Sequence, residues 1–412
     1  MKYGLIGEKL SHSFSKEVHS LIASYEYEIR EIAREDLDLF MQNKDFLAIN
    51  VTIPYKEAVI PYLDGISEEA KSIGAVNTIV NRDGKLYGYN TDFLGMTSLL
   101  AHINITVENK KAIILGSGGT SKTARAVFQH LGASEIITVG RIKKDGVIDY
   151  AELYKKHTDA DIIVNTTPVG MYPNNYDCPV DLSNFTNLDG VVDAIYNPIR
   201  TNLILEAQKR GIKAIGGLYM LVAQAVFASE IFQGIKYDTD TLDKIYYKIK
   251  ADKENIVLSG MPSCGKSTIG AILAKRLNRR LTDTDSEIII SANKSIPEIF
   301  KDDGEEAFRE LETRIIANTS LQNSSIISTG GGSVLREKNV NALKQNGIIF
   351  FIDRSPDKLT PTDDRPLSSD KSAIIARYNE RYDIYKGTSD YTVNGDLSAE
   401  EVANEIIWRF TK

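Results

Sequence analysis

Residues 260–267 read Gly-Met-Pro-Ser-Cys-Gly-Lys-Ser, an instance of the pattern G-x-x-x-x-G-K-[ST]. A loop of this kind wraps backbone N–H groups around phosphates, sends its lysine to the terminal ones and offers its last hydroxyl to Mg²⁺. Its neighbours supply the context the motif needs. Residues 255–259 (NIVLS) read as a buried strand, and between 266 and 277 the apolar residues Ile269, Ile272, Leu273 and Leu277 recur at helical spacing. Strand, glycine loop and helix in that order predict an α/β domain with a parallel sheet. In it Ser263, Cys264, Gly265, Lys266, Ser267 and Thr268 bind ATP, with Ser267 on the metal.

Some 260 residues precede this loop, so it belongs to the second part of a larger assembly. A chain of 412 residues predicts two to three domains at roughly 150 residues each. With 42% apolar and 25% charged residues, each can bury a core. A net charge of −7 opposes a nucleic-acid partner, while small anionic substrates need only local positive charge. Cys178 and Cys264 fall in different expected domains, and Cys264 sits inside the phosphate loop, which fits a reducing compartment better than a disulfide. No apolar run reaches the length of a membrane span, and MKYGLIGEKLSHS lacks the apolar stretch of a signal peptide. The expectation is a cytoplasmic protein with no membrane partner; nothing in the sequence assigns an oligomeric one.

Strand-like runs at 2–6, 48–53, 111–115, 135–139, 161–165 and 190–194 alternate with helical patterns, which predicts mostly parallel sheets. The expected units are 1–100, 101–224 and 255–412, with a helix near 225–247 returning to the first unit and a polar linker at 248–254. Residues 172–184 and 360–372 are polar enough to be loops.

A second phosphate signal follows the strand 111–115. Gly116, Ser117, Gly118, Gly119, Thr120 and Ser121 stand between that strand and a helix, where a dinucleotide-binding fold places the pyrophosphate. Read against G-x-G-x-x-G, Gly116 and Gly118 match and Ser121 takes the third place. The loop alone fits a plain tight turn equally well. At the end of the next strand, however, Arg141 with Lys143 and Lys144 offers cations where a carboxylate would bind a free ribose 2′-hydroxyl, which favours NADP over NAD.

Residues 1 to about 247 resemble the shikimate dehydrogenase family through SHSFS (11–15), NVTIPYK (50–56), GAVNT (74–78), GYNTD (88–92), GSGGTS (116–121), NTTPVGM (165–171), DAIYNP (193–198) and GGLYMLVAQA (216–225). The resemblance implies a substrate domain followed by a Rossmann NADP-binding domain, with Lys56 and Asp92 as the catalytic pair. It further implies Ser13 and Ser15 on the substrate carboxylate, Thr52, Asn77, Asp92 and Gln224 on the ring hydroxyls, Tyr196 in the pocket lining, and Gly217 beside the nucleotide. Chemically, a ketone that accepts hydride must gain a proton on oxygen, and a lysine steadied by a carboxylate can donate it. Lys9 and Lys16 stand where that family usually has prolines.

Residues 255 to about 410 resemble shikimate kinase through GMPSCGKST, DTDSE (283–287), GEEAFRELE (304–312), STGGGSV (328–334), DRPL (364–367) and ERYDIY (380–385). Asp283 and Asp285, two apart, are expected on one side of an extended segment. By the resemblance, Asp283 joins Ser267 on Mg²⁺ and Asp285 binds the substrate hydroxyls. Arg309 and Arg381 clamp its carboxylate, Gly330, Gly331 and Gly332 bring backbone N–H groups close to it, and Arg365 acts from a lid on the transferring phosphoryl group. Glu312, three residues after Arg309 on a helix, can orient that guanidinium. The run 348–353 is apolar and ends in Asp353, but Arg354 follows at once and the match to a metal-binding strand end is poor.

Together these imply a bifunctional enzyme that reduces 3-dehydroshikimate with NADPH and phosphorylates the resulting shikimate with MgATP. The rival within enzymology is a quinate/shikimate dehydrogenase fused to another small-molecule kinase; the rival outside it is a ligand sensor without turnover. Arg141 opposes the first, and the presence of Lys56, Asp92, Lys266 and Asp285 opposes the second.

Overall fold

The computed structural model describes residues 1–10, 14–360 and 371–411, so the expected site residues Ser13 and Arg365 lie outside the described residues. The chain forms two compact units, Met1–Asn197 with Thr201–Ile249, and Pro198–Arg200 with Lys250–Lys412.

The first unit contains two sheets. β1 (Tyr3–Gly7), β2 (Tyr27–Glu31), β3 (Ala48–Val51), β4 (Gly65–Ile66), β5 (Thr78–Arg82) and β6 (Lys85–Tyr89) lie in the order β2-β1-β3-β5-β6-β4. Pairing is mostly parallel, as expected, but this sheet is mixed: β5 runs antiparallel to both β3 and β6. The cause is local. Asp83 and Gly84 both take positive φ, 53° and 83°, the conformation of a two-residue hairpin turn, and Asp-Gly is the pair that tolerates it.

β7 (Lys111–Leu115), β8 (Glu135–Val139), β9 (Ile162–Asn165), β10 (Gly190–Asp193) and β11 (Lys213–Ile215) form an all-parallel sheet in the order β11-β10-β9-β7-β8. A single parallel bridge, Val139 to Ile148, continues it beyond β8. Counting that bridge as a vestigial third strand restores the 3-2-1-4-5-6 order of a Rossmann sheet. The strands are buried on both faces, with Ile113, Ile114, Ile163 and Val191 at 0% exposure, as helices on each side require.

Helices Thr91–His102 and Leu218–Gln233 cross beside this core and share its apolar contacts through Phe93, Met96, Leu99, Val222 and Val226. Gly95 makes that crossing close: a Cβ there would stand 2.9 Å from Met220 O and 3.3 Å from the Gln224 backbone N. A helical glycine costs about 1 kcal/mol against alanine, and here the missing side chain lets Gln224 approach the turn that carries Asp92. The later part of the second helix returns to the first sheet, where Ala228 and Phe232 pack with Leu5 and Tyr27.

Residues 248–254 were expected as linker, and the two units divide at 249/250; locally, 248–253 finish a helix, Thr241–Lys253, and a strand begins at Asn255. Ile245, Tyr246 and Ile249 recur at helical spacing and are buried, so the polar residues between them are the outer face of a helix.

The second unit has one sheet, β12 (Asn255–Ser259), β13 (Arg280–Asp283), β14 (Ser325–Ser328), β15 (Gly347–Asp353) and β16 (Tyr391–Asn394), all parallel in the order β13-β14-β12-β15-β16. β12 sits centrally and is buried throughout, with neighbours that lead away on opposite sides. That reversal at its carboxyl end is where an open α/β sheet leaves a crevice, and the loop 260–265 occupies it.

Two candidate active sites

In the first unit a cleft of about 780 Å³ opens between the mixed sheet and the head of helix Gly119–His130. Ser15, Thr52, Lys56, Asn77, Asp92, Tyr196 and Gln224 all line it, and so do Gly119, Thr120 and Gly217. Lys56 arrives on a one-turn helix, Tyr55–Ala58, after β3. Asp92 arrives in the first turn of helix Thr91–His102, whose N-cap is Asn90: its side chain accepts from Phe93 N at 3.3 Å and donates to Ala75 O at 2.9 Å. The two meet with Nζ donating to Oδ2 at 2.6 Å, at 30% and 18% side-chain exposure. Partly exposed, this pair adds little to stability, and its value is that it fixes the lysine on the cleft wall.

The polar residues around the pair have restricted roles. Asn77 Oδ1 accepts from Thr91 N at 2.7 Å, so Nδ2 is the group it presents to a ligand. Gln224 Nε2 donates to Leu221 O at 2.9 Å, which leaves Oε1 for the cleft. Behind them runs a buried chain that sequence reasoning missed. Tyr27 donates to Asn50 Oδ1 at 2.7 Å, and Asn50 Nδ2 donates to Thr78 Oγ1 at 3.1 Å and Asn77 O at 3.2 Å. His19 stacks on Tyr27 with centroids 3.9 Å apart, and burial pushes its imidazole down to about 3. Asp193, also missed, is buried at the end of β10 and pushed up to about 6 by burial. Its Oδ1 accepts from Ile195 N, which shapes the turn that brings Tyr196 to the cleft. The signal for both was a charged or ring residue inside a short apolar run.

The nucleotide loop fits a dinucleotide. Gly116 adopts φ 106°, and a Cβ there would stand 2.7 Å from Thr166 Oγ1. At Gly118 and Gly119 a Cβ would meet nothing within 4 Å, so these two leave open approach to the helix head. No side chain caps that helix and its first turn has no acidic residue, which leaves its N–H groups to an anion. At Gly217 a Cβ would fall 2.2 Å from Ala194 O, so this glycine serves the close approach of two backbones. Ser117 is exposed and Ser121 buried; Arg141, exposed at the end of β8, is outside the cleft lining.

In the second unit the loop closes around Lys266, whose residue is 7% exposed. Its Nζ donates to Gly260 O and Met261 O, both at 2.9 Å, and lies 3.7 Å from Cys264 Sγ. Cys264 is 1% exposed, so its side chain is withdrawn from the loop surface. Ser263, Gly260 and Gly265 take positive φ, the conformation that turns successive N–H groups inward. Ser267 and Thr268 are exposed at the helix head. Ser267 Oγ donates to Asp283 Oδ2 at 3.2 Å, and Ser328 Oγ donates to the same oxygen at 2.9 Å. One hydroxyl and one carboxylate, with room left for water and phosphate, is a donor set that suits Mg²⁺.

The expectation that 283–285 is an extended segment does not hold. Asp283 ends β13 and caps helix Thr284–Ala292, accepting from Asp285 N at 3.1 Å and Ser286 N at 3.3 Å. Asp285 therefore stands in a first helical turn, and it reaches the triplet Gly330–Gly332 by that route: a Cβ on Gly330 would lie 2.6 Å from Asp285 Oδ1. The triplet also has an internal role. Its missing side chains make room for the site's own groups, since a Cβ on Gly331 would lie 2.9 Å from Pro262 Cδ and one on Gly332 2.3 Å from Arg309 Nη1. The Gly330 N–H is donated to Thr284 Oγ1 at 3.0 Å, which withdraws it from substrate.

Arg309 is held as the sequence suggested. Its Nη1 donates to Glu312 Oε2 at 2.9 Å, and Glu312, 1% exposed, also accepts from Ser333 Oγ at 2.7 Å. Arg381, 8% exposed, donates to Gly331 O at 3.2 Å, and Tyr385 donates to the same oxygen. Its Nε is buried and unpartnered, a donor still to be satisfied. Ser328, Thr284 and Tyr385 escaped the sequence reading although each lies inside a quoted motif.

Comparison with known proteins places both halves. Residues 5–79 match the shikimate dehydrogenase substrate binding domain, and residues 262–411 match shikimate kinase. The chain is 39% identical over 259 residues to a shikimate dehydrogenase (NADP(+)) of Clostridium beijerinckii, covering 59% of this chain and 96% of the relative. Among solved structures it resembles shikimate dehydrogenase 1 from Peptoclostridium difficile, at 44% identity and TM-score 0.54, over 60% of this chain and 98% of that one. It also resembles the Thermus thermophilus shikimate 5-dehydrogenase solved in complex with NADP(H) and shikimate, at 27% identity and TM-score 0.54, over 60% and 99%.

Proposed function

Because this chain belongs to the shikimate dehydrogenase family and carries a shikimate kinase domain behind it, we propose that it reduces 3-dehydroshikimate to shikimate with NADPH and then phosphorylates the shikimate 3-hydroxyl with MgATP. The observation that carries the first step is that one cleft is lined both by the Lys56–Asp92 pair and by Gly119 and Thr120 of the nucleotide loop. A hydride donor and a proton donor can therefore reach the same carbonyl.

When bound, NADPH supplies the hydride. Lys56 gives the carbonyl oxygen its proton as the carbon is reduced, so the ketone becomes a secondary alcohol, and Asp92 holds the ammonium on the cleft wall. Asn77 Nδ2, Gln224 Oε1 and the Thr52 hydroxyl supply donors and acceptors for the ring hydroxyls, and Ser15, with Ser13, serves the carboxylate. Arg141 takes the 2′-phosphate that separates NADP from NAD.

In the kinase unit the bound nucleotide and Mg²⁺ supply the phosphoryl group and neutralise its charge. Ser267 and Asp283 hold the metal, and Lys266 spans the phosphate loop. Asp285 orients the attacking 3-hydroxyl and accepts its proton, while Arg309 and Arg381 grip the carboxylate, for which a planar guanidinium is better matched than an ammonium. The resemblance adds Arg365 as a residue that acts on the transferring phosphoryl group. We also read 1–100 as the substrate domain, 101–224 as the nucleotide domain and 255–412 as the kinase. The cytoplasm is the assigned compartment, supported by two free cysteines and by the absence, among the described residues, of any helix long and apolar enough to cross a membrane.

A coupled assay with 3-dehydroshikimate, NADPH and MgATP tests both halves. NADPH consumption and shikimate-dependent ADP formation, followed separately, are both expected; absence of either removes that half of the proposal.

A further inference from the structure

Arg354 follows the last residue of β15, on the side of the sheet where the phosphate loop lies: a Cβ on Gly260 would touch Ile352 O at 2.8 Å. Its guanidinium extends toward the other end of that loop. Arg354 Nη1 stands 3.7 Å from where a Cβ on Gly265 would be, and Gly265 is the N-cap of helix Lys266–Leu277. The residue is half-buried, its Nε is buried without a hydrogen-bond partner, and among the described residues it has no ion pair. A guanidinium that gives up water without a carboxylate in return is a costly placement, and it points to a ligand.

The backbone around Arg354 is fastened on both sides. Gly395 N donates to Asp353 O at 2.8 Å, and a Cβ on Gly395 would come within 3.1 Å of both Arg354 N and Cβ. The carboxylates nearest in the chain are engaged elsewhere. Asp353 accepts from Tyr378 at 2.8 Å, and Asp396 accepts from Ser355 N at 3.0 Å and pairs with Lys358 at 3.6 Å. Arg354 is thus a positioned, unneutralised cation at a helix head that already presents N–H groups and carries no acidic residue in its first turn.

We propose that Arg354 is a nucleotide-binding residue of the kinase, donating to phosphate oxygens of ATP at the head of helix Lys266–Leu277. This rests on the kinase reading above and adds to it a phosphate contact from outside the glycine loop. Lys266 bonds the loop from within, and Arg354 reaches it from the adjacent strand end.

The test uses the full chain carrying Arg354→Gln or Arg354→Lys, assayed for shikimate-dependent ADP formation and, on the same sample, for NADPH oxidation. Arg354→Gln should raise the ATP KM about tenfold, with the shikimate KM changed less than about twofold and NADPH oxidation unaltered. Arg354→Lys, which keeps the charge, should fall between. ADP should become a weaker inhibitor of Arg354→Gln while adenosine inhibits both proteins equally. An unchanged ATP KM overturns the inference, as does an equal rise in both KM values, which would make Arg354 a support of the loop. Equal weakening by adenosine overturns the phosphate assignment. Should the unaltered protein itself form no ADP with shikimate, the kinase reading fails, a result distinguishable from any of these.

Discussion

Helix Gly119–His130 and helix Lys266–Leu277 start alike: each has a glycine at its N-cap, no capping side chain and no acidic residue in its first turn. They differ in how charge is placed: Lys122 in the first turn of the first helix is exposed and paired with Glu57 at 2.6 Å. The first is headed by Gly118 and Gly119, open to solvent, and the cation assigned to its nucleotide, Arg141, is a strand away at the end of β8. The second buries Lys266 in its own first turn and has Arg354 beside it. The chemistry explains the difference. A dinucleotide's pyrophosphate survives reduction unbroken, so neutral N–H groups suffice to seat it, whereas a triphosphate that loses its end builds up charge that must be met where it develops.

If that contrast is right, the acting cation of the first site comes from another element than the helix head it faces across the cleft. Lys56→Ala should lower the kcat of NADPH oxidation by about 10²- to 10⁴-fold while the NADPH KM hardly moves, and steady-state kinetics with 3-dehydroshikimate would expose an error if turnover stayed near normal. At the second head the cation is in place, so Lys266→Ala should cost phosphorylation about 10²- to 10³-fold without touching NADPH oxidation in the same sample. Loss of both activities would point to damage beyond the loop.

Acid should separate the units as well, since all 5 histidines lie in the first 157 residues. His19 is held neutral by burial at about 3 in the folded protein against 6.5 unfolded, so its stabilising contribution is complete above pH 6.5 and is lost as pH falls toward 3. By pH 5 that loss is about 2 kcal/mol. Asp193, raised to about 6, works in the opposite sense, its unfavourable burial being relieved as pH falls from 6 toward 4. Urea midpoints of NADPH-oxidising activity at pH 7.5 and 5 should therefore show His19→Gln losing less stability on acidification than the parent, and Asp193→Asn losing more. Parallel curves would exclude both groups.

The smallest effect concerns the cation set apart from the first head. Arg141→Ala should raise the NADPH KM about tenfold and leave the NADH KM unchanged; equal shifts for both cofactors would move the 2′-phosphate contact elsewhere.

Both glycine loops and the strands feeding them were legible in the sequence because their signal is local: an apolar run, a turn of fixed residue types, then helical spacing. What was missed came from competition between local patterns. Asp83-Gly84 is a hairpin signal inside a region read for parallel strands, and it turned β5 and β6 against each other. Asp-Thr-Asp at 283–285 alternates as a strand would, but the first carboxylate captures two N–H groups and starts a helix. Residues 248–254 were read as a linker and the units do divide there, but the helical face set by Ile245, Tyr246 and Ile249 went unread. The support behind each site, Tyr27 to Asn50 to Thr78 in one and Glu312 to Ser333 in the other, joins residues 21 to 28 positions apart and leaves no local trace.

The vestigial third strand beyond β8 has an engineering consequence. Two isolated bridges, Val139 to Ile148 and Lys144 to Val147, fasten this segment at its ends, and the exposed residues Arg141 to Lys143 lie between them outside any ladder. Side chains at 141–143 can be exchanged without re-registering the sheet beneath them. On the proposed role of Arg141, cofactor preference in this chain would be a separable trait, open to selection or redesign independently of the fold that supports it.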